Sequence, residues 1–245
     1  MNTLKSSLQA LIFDVDGTIS DTERDGHRIA FNAAFADAGM AWHWDAALYG
    51  GLLAVTGGKE RMRFYAERYD PDFLAQPDAD ARIKVLHAAK TTHYVRLIES
   101  GALPLRPGVA RLVAEARAAG LRLAIATTTT PENVTVLLRA SMAPEAVNWF
   151  EVIGAGDVVP AKKPAPDIYQ WVLERLNLPA HACLALEDSE NGLKASLAAG
   201  LPTLVTEGEY TRGQDFTGAL AVVPDLAQTT LADIQLMFEK NLSST

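Results

Sequence analysis

The sequence predicts an α/β fold, a doubly wound parallel sheet with a smaller helical unit inserted after its first strand. From residue 105 onward, apolar strand-like runs alternate with helical patterns, the rhythm of strand-helix-strand units. The short apolar run at 11–13 belongs with them. Residues 20–104 read differently: helix-like, with Tyr, Trp, Lys, Arg and His and little strand pattern. The chain therefore divides into a core of 1–19 and 105–245 and a cap of 20–104.

The opening strand rests on Leu11, Ile12 and Phe13, with Gly17 breaking the pattern. After the insertion, Arg106-Pro107-Gly108 predicts a helix with Pro at its first position, running through 114–119 to a stop at Gly120. A strand over 121–126 follows, then a helix started by Pro131 and a strand over 150–153. A helix over 166–176, a strand over 183–186 and a helix over 189–199 stopped by Gly200 continue the alternation. Short edge strands are expected at 203–205 and 221–223, and a terminal helix from about Thr230. Doubly wound sheets bind ligands at the carboxyl ends of their strands, so the insertion is placed to stand over a site there.

Of the 245 residues, 49% are hydrophobic, enough for a packed interior. The net charge of -8 and pI near 5.1 argue against nucleic acid or acidic membranes as partners, because both demand a basic footprint. A single cysteine, Cys183, excludes an internal disulfide and fits a reducing, cytoplasmic setting. No run approaches the roughly 18 apolar residues of a membrane span, and no secretion signal is expected. Nothing in the sequence demands more than a monomer.

Asp14 and Asp16 follow the first strand at a spacing of two, which lets both carboxylates enter one crevice while Val15 points away. Like charges held so close resist joint ionisation unless a cation or shared proton intervenes. The strand over 121–126 ends in Thr127-Thr128-Thr129-Thr130, whose hydroxyls and amides make either an anion cradle or an ordinary helix cap. Lys163 sits between prolines, as a point charge for phosphate or a solvated loop lysine. Glu187 and Asp188 end the strand over 183–186, as hard ligands suited to Mg²⁺ or as acids at a helix start. Each bland reading accounts for one motif, but none accounts for their recurrence at successive strand ends.

Asp14-Val15-Asp16-Gly17-Thr18, Thr127, Lys163-Pro164 and Glu187-Asp188 together resemble the four motifs of the haloacid dehalogenase superfamily, in order. The insertion resembles the helical cap of the branch containing beta-phosphoglucomutase and phosphoglycolate phosphatase. Within it, Asp21-Thr22-Glu23 with His27, residues 56–61 and 87–90, and Thr127 through Asn133 in the core look like the CbbY group, phosphatases acting on xylulose 1,5-bisphosphate. The interval from Glu23 to His27 is one residue longer than in some bacterial members and closer to the plant form. This resemblance implies a Rossmann-like core, with Asp14 as nucleophile, Asp16 as general acid and base, and Thr127 and Lys163 stabilising the transferred phosphoryl group. It implies Mg²⁺ held by the Asp14 carboxylate, the Asp16 backbone carbonyl and Asp188, with Glu187 adjacent.

The resemblance further implies substrate contacts from Asp14, Glu23, His27, Gly57, Gly58, Lys59, Glu60, Arg61, His87, Lys90, Thr127, Thr128, Thr129, Asn133 and Lys163. The residues themselves supply part of the reason. No acid occurs from 81 to 98, where Arg82, Lys84, Lys90 and Arg96 accompany two histidines. On a helix His87, Lys90 and Tyr94 share one face. Gly57 and Gly58 let backbone approach an oxyanion, and Lys59 and Arg61 bring charge. The implied activity is hydrolysis of xylulose 1,5-bisphosphate, a misfire product that inhibits ribulose bisphosphate carboxylase. The alternatives are a beta-phosphoglucomutase-like mutase, a phosphatase of another small phosphosugar or of phosphoglycolate, and a binding module that keeps only the fold.

Overall fold

The structure, a computed structural model, describes residues 8–101 and 103–244. Residues 1–7, 102 and 245, included in the division made above, lie outside the described residues. Six strands form one parallel sheet among the described residues: β1 (Ala10–Phe13), β2 (Arg122–Ala126), β3 (Val152–Gly154), β4 (Cys183–Glu187), β5 (Thr203–Thr206) and β6 (Ala221–Val223). Their spatial order is β3-β2-β1-β4-β5-β6, so the chain reverses direction across the sheet beside β1. Such a reversal opens a crevice beyond the strand ends.

Between β1 and β2 the chain makes a π-helical turn (Glu23–His27) and the helices α1 (Arg28–Asp37), α2 (Ala46–Leu52), α3 (Gly58–Tyr69), α4 (Pro71–Leu74), α5 (Ala79–Glu99) and α6 (Val109–Ala118). The remaining helices are α7 (Pro131–Ser141), α8 (Asp167–Leu176), α9 (Glu190–Ala198) and α10 (Leu231–Ser244). Strand alternation sorts the core into two layers. Leu11, Phe13, Leu123 and Ile125 meet α6, α7 and α10, whereas the smaller Ala10, Ala124, Ala126 and Ala185 leave room for Tyr169 and Val172 of α8. A third apolar cluster, built on Phe31, Phe35, Trp42, Trp44 and Tyr49, lies within the insertion. The insertion is also sutured to the core, because Ala30, Tyr94 and Ile98 join the cluster under α7.

Three expectations change, each for a local reason. Helix α6 starts at Val109, not at Arg106, because Gly108 adopts φ +83 and packs its Cα against the Leu226 carbonyl. Strand β3 starts two residues late, since 146–149 form a 3-10 turn that carries Phe150 into the core. Strand β5 is not an edge: it is paired with β4 and β6 and fully buried, which leaves β6 as the edge on that side.

Freed from the helix, Arg106 is buried where the insertion joins the core. Ser20 and Leu105 form an antiparallel bridge there, and the Arg106 amide donates to the Ile19 carbonyl at 2.9 Å. The guanidinium donates to the carbonyls of Gly17, Thr206 (2.8 Å), Glu207 (3.0 Å) and Pro224 (2.7 Å), and its Nε faces Asp21 at 3.3 Å. One side chain thus ties the ends of β1, β5 and β6 to the outgoing strand of the insertion. No helix among the described residues is long and apolar enough to cross a membrane.

Candidate active site

Parallel register sets the chemistry. Phe13 pairs with both Ile125 and Leu186, so Asp14 emerges level with the ends of β2 and β4. The Asp14 amide donates to the Leu186 carbonyl at 2.9 Å, and the Thr127 amide to the Gly154 carbonyl at 2.9 Å. Lys163, from the loop before α8, turns inward and is buried. Its ammonium donates to Asp14 Oδ1 at 2.6 Å, Glu187 Oε1 at 2.6 Å and the Ala126 carbonyl at 2.9 Å, which uses all three protons. Tyr169 donates to the same Glu187 oxygen. The second Glu187 oxygen lies buried against Gly192, where a Cβ would overlap the carboxylate. Asp188 rests on Gly17 in the same way.

Oxygens of Asp14, Glu187 and Asp188 all lie within 4.8 Å of one another, and Lys163 is the cation that Asp14 and Glu187 share. Burial pushes the Asp14 carboxyl up to about 8; Lys163 opposes this, and the charges of Glu187 and Asp16 add to it. Burial, with Asp14 and Glu187, also drives Asp188 well above the usual carboxylate range. Burial works against the charge on Lys163, yet Asp14 and Glu187 outweigh it and hold the ammonium above the usual lysine range. Lys163 keeps its proton because two acids attend it, and it is too few charges to keep every acid ionised. A cluster of hard oxygens with surplus negative charge fits a divalent cation.

Asp16 faces the insertion. Its Oδ1 accepts from the Thr22 hydroxyl and lies 2.8 Å from His27 Nε2. His27 Nδ1 is 2.7 Å from Lys90 Nζ; an ammonium only donates, so Nδ1 accepts and Nε2 carries the proton toward Asp16. Burial would raise Asp16, but His27, Thr22 and Lys90 outweigh it and hold the carboxyl at about 2. His27, expected to touch substrate, therefore reaches Asp16 directly while also lining a recess described below.

A cavity of about 480 Å³ opens above this centre. Of the expected residues it is lined by Asp14, Asp16, Glu23, Arg61, Thr127, Thr128, Lys163 and Asp188. A recess of about 40 Å³ adjoins it, sharing Asp16, Glu23, Arg61 and Thr128 and adding His27, Gly57, Gly58, His87, Lys90, Thr129 and Asn133. The Asn133 amide nitrogen donates to Thr129 at 2.9 Å, and its carbonyl oxygen is buried with no protein partner. Gly58 makes room for the His87 ring, because a Cβ there would sit 2.7 Å from Nε2. Burial, then Lys90, Lys59 and His27, lowers His87 to about 3, so its ring offers hydrogen bonding and no charge. Burial also lowers Lys90, to about 8, against the pull of Asp16 and Glu23.

Lys59, Glu60 and Glu187 line neither space. Lys59 pairs with Asp157 of the core, which Lys162 also contacts at 2.7 Å. Glu60 folds over the Cα of Gly57, where φ is +98. Sequence reasoning missed three contributors. Tyr49 and Tyr169 belong to no motif, yet their hydroxyls bond Glu23 and Glu187, and the loop bearing Gly208, Glu209, Tyr210, Thr211 and Gln214 forms one wall of the cavity without any motif to announce it.

Comparison with known proteins agrees with this geometry. Residues 8–200 match the haloacid dehalogenase-like hydrolase family. The chain is 53% identical to the plasmid-borne protein CbbY of Cupriavidus necator over 219 residues, covering 89% of this chain and 86% of that one. Among solved structures, CbbY from Rhodobacter sphaeroides in complex with phosphate superposes with a TM-score of 0.83 at 44% identity, covering 92% of this chain and 98% of that one. A mutant of the same protein in complex with xylulose-(1,5)bisphosphate gives 0.84 at 45% identity, covering 93% and 99%. The chain belongs to the haloacid dehalogenase-like hydrolase family, in its CbbY group, and is a phosphatase of that type.

Proposed function

We propose that the chain hydrolyses xylulose 1,5-bisphosphate to xylulose 5-phosphate and phosphate with Mg²⁺ as cofactor, through an aspartyl-phosphate on Asp14. The reading is carried by Lys163, whose buried ammonium fixes Asp14 at the crossover point of the sheet beside a cation-seeking acid cluster. The bisphosphate complex of the Rhodobacter sphaeroides relative supports the choice of substrate.

With Oδ1 held by Lys163, the other oxygen of Asp14 attacks phosphorus, and the bond from phosphorus to the sugar oxygen breaks. Asp16 gives that oxygen a proton. It then takes one from the water that attacks the aspartyl-phosphate, which releases phosphate and restores the Asp14 carboxylate. Hydrogen-bonded to Thr22 and His27, Asp16 is ionised, the state the water step requires; burial favours the protonated form once those donors are given up. The Asp14 carboxylate, the Asp16 carbonyl and Asp188 would hold Mg²⁺, which would supply positive charge there. Lys163 and the Thr127 hydroxyl supply the rest from the protein. Glu187 orients Lys163, since Lys163 and Tyr169 occupy its accepting oxygen.

Residues 20–104 act as a cap that turns about the Ser20–Leu105 bridge and brings Arg61, Lys90 and the Gly58 amide to the phosphate that is not transferred. The enzyme works as a cytoplasmic monomer and removes an inhibitor of ribulose bisphosphate carboxylase. Phosphate release from xylulose 1,5-bisphosphate, ribulose 1,5-bisphosphate, glucose phosphates and phosphoglycolate tests the reading. Strong preference for the first is expected, and equal rates on the two pentulose bisphosphates would contradict it, because the productive carboxylase substrate must be spared.

Metal binding carries its own pH signature. Asp14 in the metal-free site is raised to about 8 and Asp188 is raised as well, so a cation must displace protons below that range. Mg²⁺ affinity is expected to rise about tenfold per pH unit for each proton displaced between pH 6 and 8. Calorimetry in buffers of different ionisation enthalpy reads the proton release directly, and a pH-independent affinity would refute the carboxylate cluster as the metal site.

A further inference from the structure

We propose that Tyr49 is a positioning residue for substrate recognition, a hydroxyl bridge that keeps Glu23 and Arg61 from closing into a direct hydrogen-bonded pair and so leaves hydrogen-bonding groups of both available to the sugar bisphosphate. The inference rests on the reading of Glu23 and Arg61 as substrate contacts.

Tyr49 lies on α2 with its ring fully buried among Phe31, Trp44 and Tyr210, at centroid distances of 6.3, 6.0 and 6.2 Å. Its hydroxyl donates to Glu23 Oε2 and accepts from Arg61 Nη1 at 2.7 Å. Glu23 and Arg61 form an ion pair at 3.6 Å, just beyond hydrogen-bond reach, and the phenol makes the hydrogen bonds to both partners. Burial, reinforced by Glu23, holds the phenol well above its ordinary pKa; it therefore remains a donor across the working pH range.

A guanidinium and a carboxylate this close tend to form a two-pronged direct pair, which occupies both carboxylate oxygens and two of the five guanidinium protons. Arg61 is buried, so desolvation adds to that tendency. With the phenol bonded to both, Glu23 engages the protein through Oε2 and keeps Oε1 for sugar hydroxyls. Arg61 engages it through one Nη1 proton and through Nε, which lies 3.3 Å from the Val55 carbonyl, leaving Nη2 for an anion. Both residues line the cavity and the recess, the span a bisphosphate with its hydroxylated middle would occupy.

The bridge is braced from two sides. The insertion holds the ring through Phe31 and Trp44, whereas Tyr210 meets it edge-on from the core loop after β5. Gly50 permits that approach, since a Cβ there would lie 3.0 Å from the Tyr210 ring.

Tyr49→Phe removes the hydroxyl and keeps every ring contact. For xylulose 1,5-bisphosphate the variant should show a KM raised by about ten- to hundred-fold with kcat within about threefold, the loss expected for hydrogen bonds to charged groups. With p-nitrophenyl phosphate, which has neither sugar hydroxyls nor a second phosphate, kcat/KM should match wild type. Equal losses on both substrates would mark a merely structural residue and overturn the proposal, as would an unchanged KM for the bisphosphate. A wild-type enzyme inactive on the bisphosphate would overturn the functional reading and this inference with it, whereas an active wild type and an unaltered variant would sink this inference alone.

Discussion

Asp14→Asn is expected to lower phosphate release by about four to six orders of magnitude, the scale of removing a nucleophile. The substitution is isosteric and its side-chain oxygen still accepts from Lys163, so binding and fold should survive. It also removes one charge from a crowded cluster, which gives a second readout in the metal-free protein. Asp14 has a folded pKa of about 8 against 3.8 for the free side chain, so the folded state holds a proton that the unfolded state releases in between. Its stabilising contribution is complete below about pH 4 and is lost as pH rises through about 8. The variant should lack that decline, and urea unfolding without metal at pH 5.5 and 8.5 measures it. Turnover within a hundredfold of wild type would remove Asp14 as nucleophile.

Lys163→Met is expected to be the most damaging single change to stability and activity together. Lys163 is the buried cation between Asp14 and Glu187, and it also satisfies the Ala126 carbonyl. Without it two carboxylates face each other in a dry site, and leaving buried charges unpaired costs about 3–5 kcal/mol. The loss should be greatest near pH 8 without metal, should shrink as acid protonates the cluster, and should be partly offset by Mg²⁺. Turnover should fall at least a thousandfold, because the transferred phosphoryl oxygens lose a fixed positive charge. Denaturant titrations at two pH values, with and without Mg²⁺, check the stability claim; wild-type stability at pH 8 would disprove the buried pairing.

Much of this site was legible in the sequence because its acids and its lysine interrupt apolar or proline-framed runs. Asp14, Asp16, Glu187 and Asp188 follow strands recognisable from composition, and parallel pairing then brings their ends together. Spatial order was not legible: the short run at 203–205 reads as an edge until β6 is found outside it. The insertion was legible in its charges and not in their partners. His27 and Lys90 are 63 residues apart, and the bond between them depends on how a π-helical turn presents the ring to α5. Tyr49 and Tyr169 stayed hidden for a different reason. Each has the hydropathy of a core residue, and only its hydroxyl, one atom in a buried ring, does chemistry. The 208–214 wall carries no motif, and its bonds are ones a sequence does not announce: Gly208 N–H donates to the Thr211 hydroxyl at 2.8 Å, and Gln214 accepts from the Glu190 amide at 2.8 Å.

Arg106 makes a different kind of demand on the chain. Four of its acceptors are main-chain carbonyls, at Gly17, Thr206, Glu207 and Pro224. Any residue type offers the same oxygen, so as far as Arg106 is concerned positions 207 and 224 can drift in identity without loosening the fan, whereas at 206 the threonine hydroxyl accepts a further bond at 3.3 Å. What they cannot do is change their distance along the backbone. A one-residue insertion after β5 or β6 would withdraw a carbonyl that no compensating substitution restores. Relatives that keep this arginine should therefore share loop lengths at three separated places while differing freely in what those loops spell.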